Sequence, residues 1–224
     1  MMKIDVLTLF PNMFSNILEE SIIARAIESK KVEINIHNIR DYSKDPHKRV
    51  DDYSYGGGAG MVLMPQPIFD AVETLKKENS LVVLLTPQGK KYNQKVAHNL
   101  SKLDHIILIC GHYEGFDERI RTIVDMEISI GDYVLTGGEI AALAIIDSTV
   151  RLLDGVINEE SHKNDSFEDN LLDYPVYTHP VSFKGLNVPE VLLSGHHENI
   201  AKWRMEEKLK RTKSRRPDLL EKRD

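Results

Sequence analysis

Cysteine occurs once in the 224 residues, as Cys110. No intramolecular disulfide can form, and the usage fits a reducing cytoplasm. Cys110 closes an apolar run, so it reads as a buried structural thiol rather than a nucleophile. No uncharged apolar run approaches the about 18 residues of a membrane span, so no membrane location is expected. Asp5 interrupts the first apolar residues, and Met1 to Asp5 does not read as a signal peptide. Several catalytic signatures are missing. The glycines at 56–60 are not followed by Lys-Ser/Thr, which excludes a P-loop, and no dinucleotide fingerprint follows a strand. There is no G-x-S-x-G elbow and no kinase set. His196 and His197 are adjacent and point apart on a helix, with no spaced His/Cys/Asp set, so no metal site is expected. No internal repeat or low-complexity tract is evident.

What is present is an ordinary globular composition, 41% hydrophobic and 29% charged, with an uneven charge distribution. The net charge is -6, which argues against a simple nucleic-acid-coating protein. Yet Lys202, Arg204, Lys208, Lys210, Arg211, Lys213, Arg215 and Arg216 fall within fifteen residues beside only two acids, Glu206 and Glu207. The rest of the chain is correspondingly acidic. This asymmetry fits a localised polyanion contact, and equally a solvated helix face.

The chain is organised around Asp104 to Arg151. The run Ile106 to Cys110 is short, wholly apolar and ends at Gly111, as in a strand buried on both faces of a parallel sheet. Gly111 and Gly115 bracket His112, Tyr113 and Glu114. Ile120, Ile123, Val124 and Ile128 stand at helical spacing. A second turn-rich segment, Ile130 to Glu139, leads into an almost wholly apolar helix, Ile140 to Leu153.

Before this stretch, Lys3 to Phe10 reads as a strand, Met13 to Ser29 as a helix, and Val32 to His37 as a strand with one wet face. Residues 56–60 read as a mobile loop over a substrate or a plain connector. Pro67 to Glu78 reads as a helix. Leu81 to Leu85 is a second fully apolar strand, ending at Thr86-Pro87-Gln88-Gly89, and Val96, Leu100 and Leu103 mark the next helix. This order gives an α/β fold with a mostly parallel sheet. Ligands in such sheets sit beyond the carboxyl ends of the strands, which places a small-molecule pocket at these glycine-bearing loops. Glu159 to Asp173 is polar and reads as a linker. Pro175 to Pro189 reads as extended, Glu198 to Thr212 as a basic helix with Trp203, and Pro217 as the first turn of a short last helix.

Individual residues leave two readings each. Glu114 and Asp132 suit ribose hydroxyls, a ligand amine or a metal, although bare loop acids are more often surface residues. Arg151, in an apolar helix, is either an anion clamp or a helix-end residue facing water. Asp165, in the linker, reads as solvated.

The motifs themselves carry a resemblance. LFPNMF (9–14), VDDYSYGGGAGMV (50–62), TPQG (86–89), CGHYEGFDER (110–119), IGDYVLTGGE (130–139), DSF (165–167), LLDYPVYT (171–178), LLSGHH (192–197) and RRPDLL (215–220) follow one another nearly end to end. In this order they resemble the bacterial tRNA (guanine-N1)-methyltransferases that modify guanosine 37. RRPDLL lies close to the last residue given, so the longer tail of some relatives is not expected.

The resemblance implies S-adenosylmethionine as cofactor, a knotted methyltransferase fold with a trefoil knot forming the cofactor site, and a homodimer with active sites at the interface. It implies that Leu84, Leu85, Thr86, Pro87 and Gln88, then Gly111, Tyr113 and Glu114, then Ile130, Gly131, Asp132, Tyr133, Val134, Leu135, Gly137 and Gly138 surround the cofactor. Asp165 matches the family's general base, reaching in from the linker of the partner subunit. Arg151 matches its catalytic arginine. Glu114 lies near the cofactor or a magnesium ion needed for activity. Lys210, Arg211, Lys213, Arg215 and Arg216 match a tRNA-binding surface for the anticodon loop. The domains expected are 1–159 (α/β, cofactor-binding), 160–174 (flexible linker) and 175–224 (small, basic, helical). Two rivals share these features: a knotted methyltransferase acting on another RNA atom, and a non-catalytic RNA-binding or cofactor-sensing protein.

Overall fold

A computed structural model describes residues 1–158 and 165–221. The chain divides into two compact units, 1–157 and 158–224. In the first, strands β1 (Met2–Thr8), β2 (Val32–Asn38), β5 (Ser80–Lys91), β6 (His105–Cys110) and β7 (Met126–Ser129) form one sheet in the order β2-β1-β6-β5-β7. Every ladder in it is parallel. Two short strands, β3 (Asp51–Tyr53) and β4 (Met61–Leu63), make a separate antiparallel hairpin around the glycine-rich loop.

The apolar runs become strands because both faces of this sheet are covered. Along β6, Ile106, Leu108 and Cys110 enter one core while Ile107 and Ile109 enter the other. Along β5, Val83 and Leu85 alternate with Val82 and Leu84 in the same way. The first core is closed by α2 (Ser21–Glu28), α4 (Gln94–Leu100) and α5 (Glu139–Val150). The second is closed by α3 (Pro65–Leu75), which contributes Ile68, Ala71 and Val72, and by Ile39 and Ile120. Burying each large aliphatic side chain contributes about 1.5–3 kcal/mol. Asp5, on β1, is one of the few charged groups buried in this unit. Its carboxylate accepts from His105 Nε2 (2.7 Å), His37 Nε2 (2.9 Å) and Asn35 Nδ2 (3.1 Å) and pairs with Lys3 Nζ (3.0 Å). Burial pushes its pKa up, but these four partners overcome that and hold it far below the usual carboxylate range.

Three elements differ from expectation. The helix predicted over 13–29 is broken into α1 (Ser15–Leu18) and α2, whose first residue, Ser21, sits at φ 55. The helical spacing of Ile120, Ile123, Val124 and Ile128 spans a 3-10 turn (Glu118–Ile123) and strand β7, where Ile128 pairs with Leu85. There the Asp125 carboxylate accepts the Val82 N–H at 2.8 Å and aligns the new strand. Strand β5 continues past Leu85 through the Thr86-Pro87 turn, with a register shift before Lys90.

The second unit holds the hairpin β8 (Ser182–Phe183) and β9 (Leu186–Asn187), then α6 (Glu190–Leu193), α7 (His197–Arg215) and a 3-10 turn at Pro217–Leu219. Of the expected linker, 160–164 lie outside the described residues. Residues 165–174 form a folded loop bonded to α7: Leu172 N–H donates to Thr212 Oγ1 at 2.8 Å. Among the described residues, no helix is long and apolar enough to cross a membrane.

Candidate active site

At the carboxyl ends of β5, β6 and β7, three loops enclose a cavity of about 370 Å3, within the range of small-molecule sites. The loop after the β5 core contributes Leu85, Thr86, Pro87 and Gln88. The loop after β6 contributes Gly111, His112, Tyr113 and Glu114. The loop after β7 contributes Ile130, Gly131, Tyr133, Val134, Leu135, Thr136, Gly137 and Gly138, and the start of α5 adds Ala141.

Close backbone approach makes the floor. The Gly138 N–H donates to the Gly111 carbonyl at 2.8 Å. A β-carbon at Gly138 would stand 2.7 Å from Cys110 Cα and 2.9 Å from Gly111 N, which only glycine avoids. Beneath it the buried Glu139 carboxylate accepts from Thr8 Oγ1 at 2.7 Å, and Thr8 Oγ1 accepts the Phe10 N–H at 2.9 Å. This chain ties the start of α5 to the end of β1. Burial, with the nearby Glu139 charge, pushes the Cys110 thiol pKa well up, so the cysteine is inert.

Two walls differ in character. His112 packs against Phe10 at 4.8 Å between ring centroids, and its Nδ1 is buried without a hydrogen-bond partner among the described residues. Tyr113, at φ 59, turns the chain so that Glu114 follows on the rim. Glu114 is held from below by the glycine-rich hairpin: its N–H donates to the Met61 carbonyl at 3.0 Å, and its side chain fills the space beside Gly60, φ 84. On the other wall Arg121 pairs with Glu127, and its Nη2 donates to Gln88 Oε1 at 2.6 Å.

Most of the residues expected around a cofactor meet here, with exceptions. Leu84 is fully buried in the second core and does not line the cavity, because successive side chains on a strand face opposite ways. Asp132 is turned outward and pairs with Lys91 Nζ at 3.2 Å. Phe116, Glu118, Arg121, Ser129 and Ala141 line the cavity without having been singled out from the sequence. Arg151 caps the far end of α5. It stands about 15 Å beyond Ala141, at about 1.5 Å per helical residue, and is not a lining residue.

In the second unit, Lys213 and Arg215 are exposed on α7. Lys210 pairs with Glu207 at 3.2 Å, and Arg211 Nη1 donates to the Asp173 carbonyl at 3.2 Å. Arg216 pairs with Asp218 at 2.8 Å and lies over the Phe167 ring at 5.7 Å. Asp165 opens the loop folded against α7. No cluster of His, Cys, Asp and Glu suited to a metal ion occurs among the described residues.

The cavity fits S-adenosylmethionine by its own chemistry. Leu85, Ile130, Leu135 and Ala141 offer an apolar bed for a purine and for the methylene groups beside a sulfonium, and Glu114 and Glu118 offer negative charge to a cationic ligand.

The family model described as tRNA (Guanine-1)-methyltransferase TrmD matches residues 2–222. A tRNA (guanine-N(1)-)-methyltransferase of Halalkalibacterium halodurans is 58% identical, covering 98% of this chain and 92% of its own length. One from Staphylococcus aureus (strain JH9) is 58% identical over 99% of this chain and 91% of its own. One from Dictyoglomus turgidum is 55% identical over 99% and 91%. With a match that runs almost end to end, the chain belongs to the tRNA (Guanine-1)-methyltransferase TrmD family.

Proposed function

We propose that this protein methylates N1 of guanosine 37 in tRNA, with S-adenosylmethionine as donor. The observation that carries the reading is the cavity at the ends of β5, β6 and β7, built from the three loops that hold the family motifs. S-adenosylmethionine, when bound, supplies an electrophilic methyl group on a cationic sulfur. Gln88, the loop 111–114 and the loop 130–138 would hold it. The trefoil knot implied by the resemblance belongs to this reading of the same loops.

The residues then divide the remaining work. Guanine N1 carries a proton and must lose it before it can attack, so a base is required, and Asp165 takes that proton. Negative charge gathers on guanine O6 as the proton leaves, and Arg151 stabilises it. Glu114, on the rim, holds a magnesium ion or the cofactor's cationic portion. Alignment of the two substrates supplies much of the remaining acceleration. The guanine leaves the anticodon-loop stack to reach the cavity, while the exposed cations of α7 hold phosphates.

The distance of Arg151 from the cavity of its own chain supports a homodimer in which each site is completed by its neighbour. The deciding experiment is methyl transfer from labelled S-adenosylmethionine, with magnesium, to tRNA bearing guanosine at 37 beside the same tRNA bearing adenosine. Transfer to the first alone, with 1-methylguanosine as product, is the expected result. Transfer to both would move the target elsewhere in the RNA, and tight binding without transfer would leave a binding protein.

A further inference from the structure

One cation of α7 is buried and paired within its own unit. Lys208 is only 5% exposed, while Lys210 and Lys213 on the same helix are open to solvent. A buried ammonium is costly unless it is paired. Lys208 Nζ donates to Asp169 Oδ2 at 2.7 Å, and Asp169 Oδ1 accepts the Leu171 N–H at 3.2 Å. One carboxylate therefore joins the helix to the turn of the 165–174 loop.

The neighbouring contacts run the same way. Thr212, one helical turn on and fully buried, accepts the Leu172 N–H at 2.8 Å and donates its hydroxyl to the Lys208 carbonyl at 2.7 Å. Arg211 reaches the Asp173 carbonyl. The loop also closes on itself: Phe167 N–H donates to the Leu171 carbonyl at 2.7 Å, and Asp173 N–H donates to Ser166 Oγ at 2.9 Å. Phe167 and Asn170 sit at φ 77 and 61, left-handed conformations that persist only where the surroundings impose them. Asp165 stands two residues before Phe167, at the entrance of this closed loop.

We propose that Lys208 is a positioning residue, setting the place of Asp165 through Asp169 and the 167–172 turn. The basic helix and the acid-bearing loop are then one clamped body. Phosphates captured by Lys213 and Arg215 deliver Asp165 to bound RNA in fixed register, rather than on a slack tether. The inference rests on the reading of Asp165 as the base.

The test uses the full-length protein and two readouts. Lys208→Met keeps the long stem and removes the charge; Asp169→Asn, on the more exposed partner, serves if the first fails to fold. Hydrogen exchange, read by mass spectrometry over 166–174, should accelerate in the variant while the 197–206 part of α7 keeps its protection. Single-turnover transfer at saturating tRNA and cofactor should fall about ten- to a hundredfold, with both dissociation constants within about twofold. Lys208→Arg should restore most of the rate. Unchanged exchange over 166–174 would overturn the clamp. Faster exchange with an unchanged rate would overturn the positioning role. A loss confined to tRNA affinity would make Lys208 a phosphate contact instead. Failure of the wild type to form 1-methylguanosine would sink the proposed function separately, since the exchange experiment judges the clamp without any turnover.

Discussion

Gly138→Ala tests whether the cavity floor depends on backbone contact between the loop after β7 and the end of β6. Gly138 sits at φ -82 and ψ -5, which alanine adopts readily, so backbone strain plays no part. The effect is steric. The new methyl would stand 2.7 Å from Cys110 Cα and 2.9 Å from Gly111 N. Ordinary contacts between such atoms lie near about 3.5–4.0 Å, and both obstacles are backbone, so the start of α5 must retreat by roughly 0.5–1 Å. That retreat stretches the 2.8 Å bond from Gly138 N–H to the Gly111 carbonyl and strains the Thr8–Glu139 bond beneath. Overpacking of this kind costs about 1–3 kcal/mol, a fall in melting temperature of about 2–12 °C for a chain of this size. Gly111, Gly137 and Gly138 line the cavity, so cofactor affinity should fall about ten- to a hundredfold, each factor of ten being about 1.4 kcal/mol. Thermal unfolding and calorimetric titration with S-adenosylmethionine measure the two effects. A variant with unchanged melting temperature and affinity would refute the claim that this approach shapes the site.

Four further outcomes follow from other features. Asp165→Ala should abolish methyl transfer while cofactor affinity stays close to normal; parallel loss of both, measured by transfer assay and titration, would reject it as the base. Arg121→Ala releases Gln88 and should weaken cofactor binding about ten- to a hundredfold, the worth of one charged hydrogen bond, with circular dichroism unchanged. Replacing Lys213 and Arg215 together by alanine should weaken tRNA binding and reduce its salt slope by about 1.5; an unchanged slope in filter binding would remove α7 from the RNA surface. Asp5 has a folded pKa held below its ordinary value of 3.8, so its stabilisation is complete above that value and drains away as pH falls below it. Asp5→Asn should cost about 3 kcal/mol at pH 7 and flatten the acid limb of the stability profile measured by urea unfolding.

The central strands were legible because each was a short apolar run with no wet face, the pattern of a strand covered on both sides. Ile106 to Cys110 and Leu81 to Leu85 feed both cores as that pattern requires. Strand β7 was not legible. It has only four residues, and the spacing of Ile120, Ile123, Val124 and Ile128 matches a helix as well as it matches a 3-10 turn followed by a strand. What decides between them is long-range pairing with β5 and the Asp125–Val82 bond, 43 residues apart in sequence. The break at Ser21 likewise has no glycine or proline to announce it.

The cavity was legible in outline because turn residues at strand ends mark where a parallel sheet takes ligands. Its finer composition depended on side-chain direction. Leu84 and Leu85 are equivalent in sequence, yet only Leu85 reaches the cavity. Arg121 enters the wall because the 3-10 turn folds it toward Gln88, a contact no local pattern encodes. The second unit shows the same limit from the opposite side. Composition made 159–173 look like a slack tether, since its acids outnumber its few apolar anchors, Phe167, Leu171 and Leu172; the described part, 165–173, is held differently. It is ordered by specific bonds instead: Leu171 is buried, and Asp169, Leu172 and Asp173 are each tied to α7. Charge counting made Lys208 one more cation on a basic helix. Burial separates it from the others, because a lysine held away from water is committed to its partner and contributes nothing to a phosphate-binding surface.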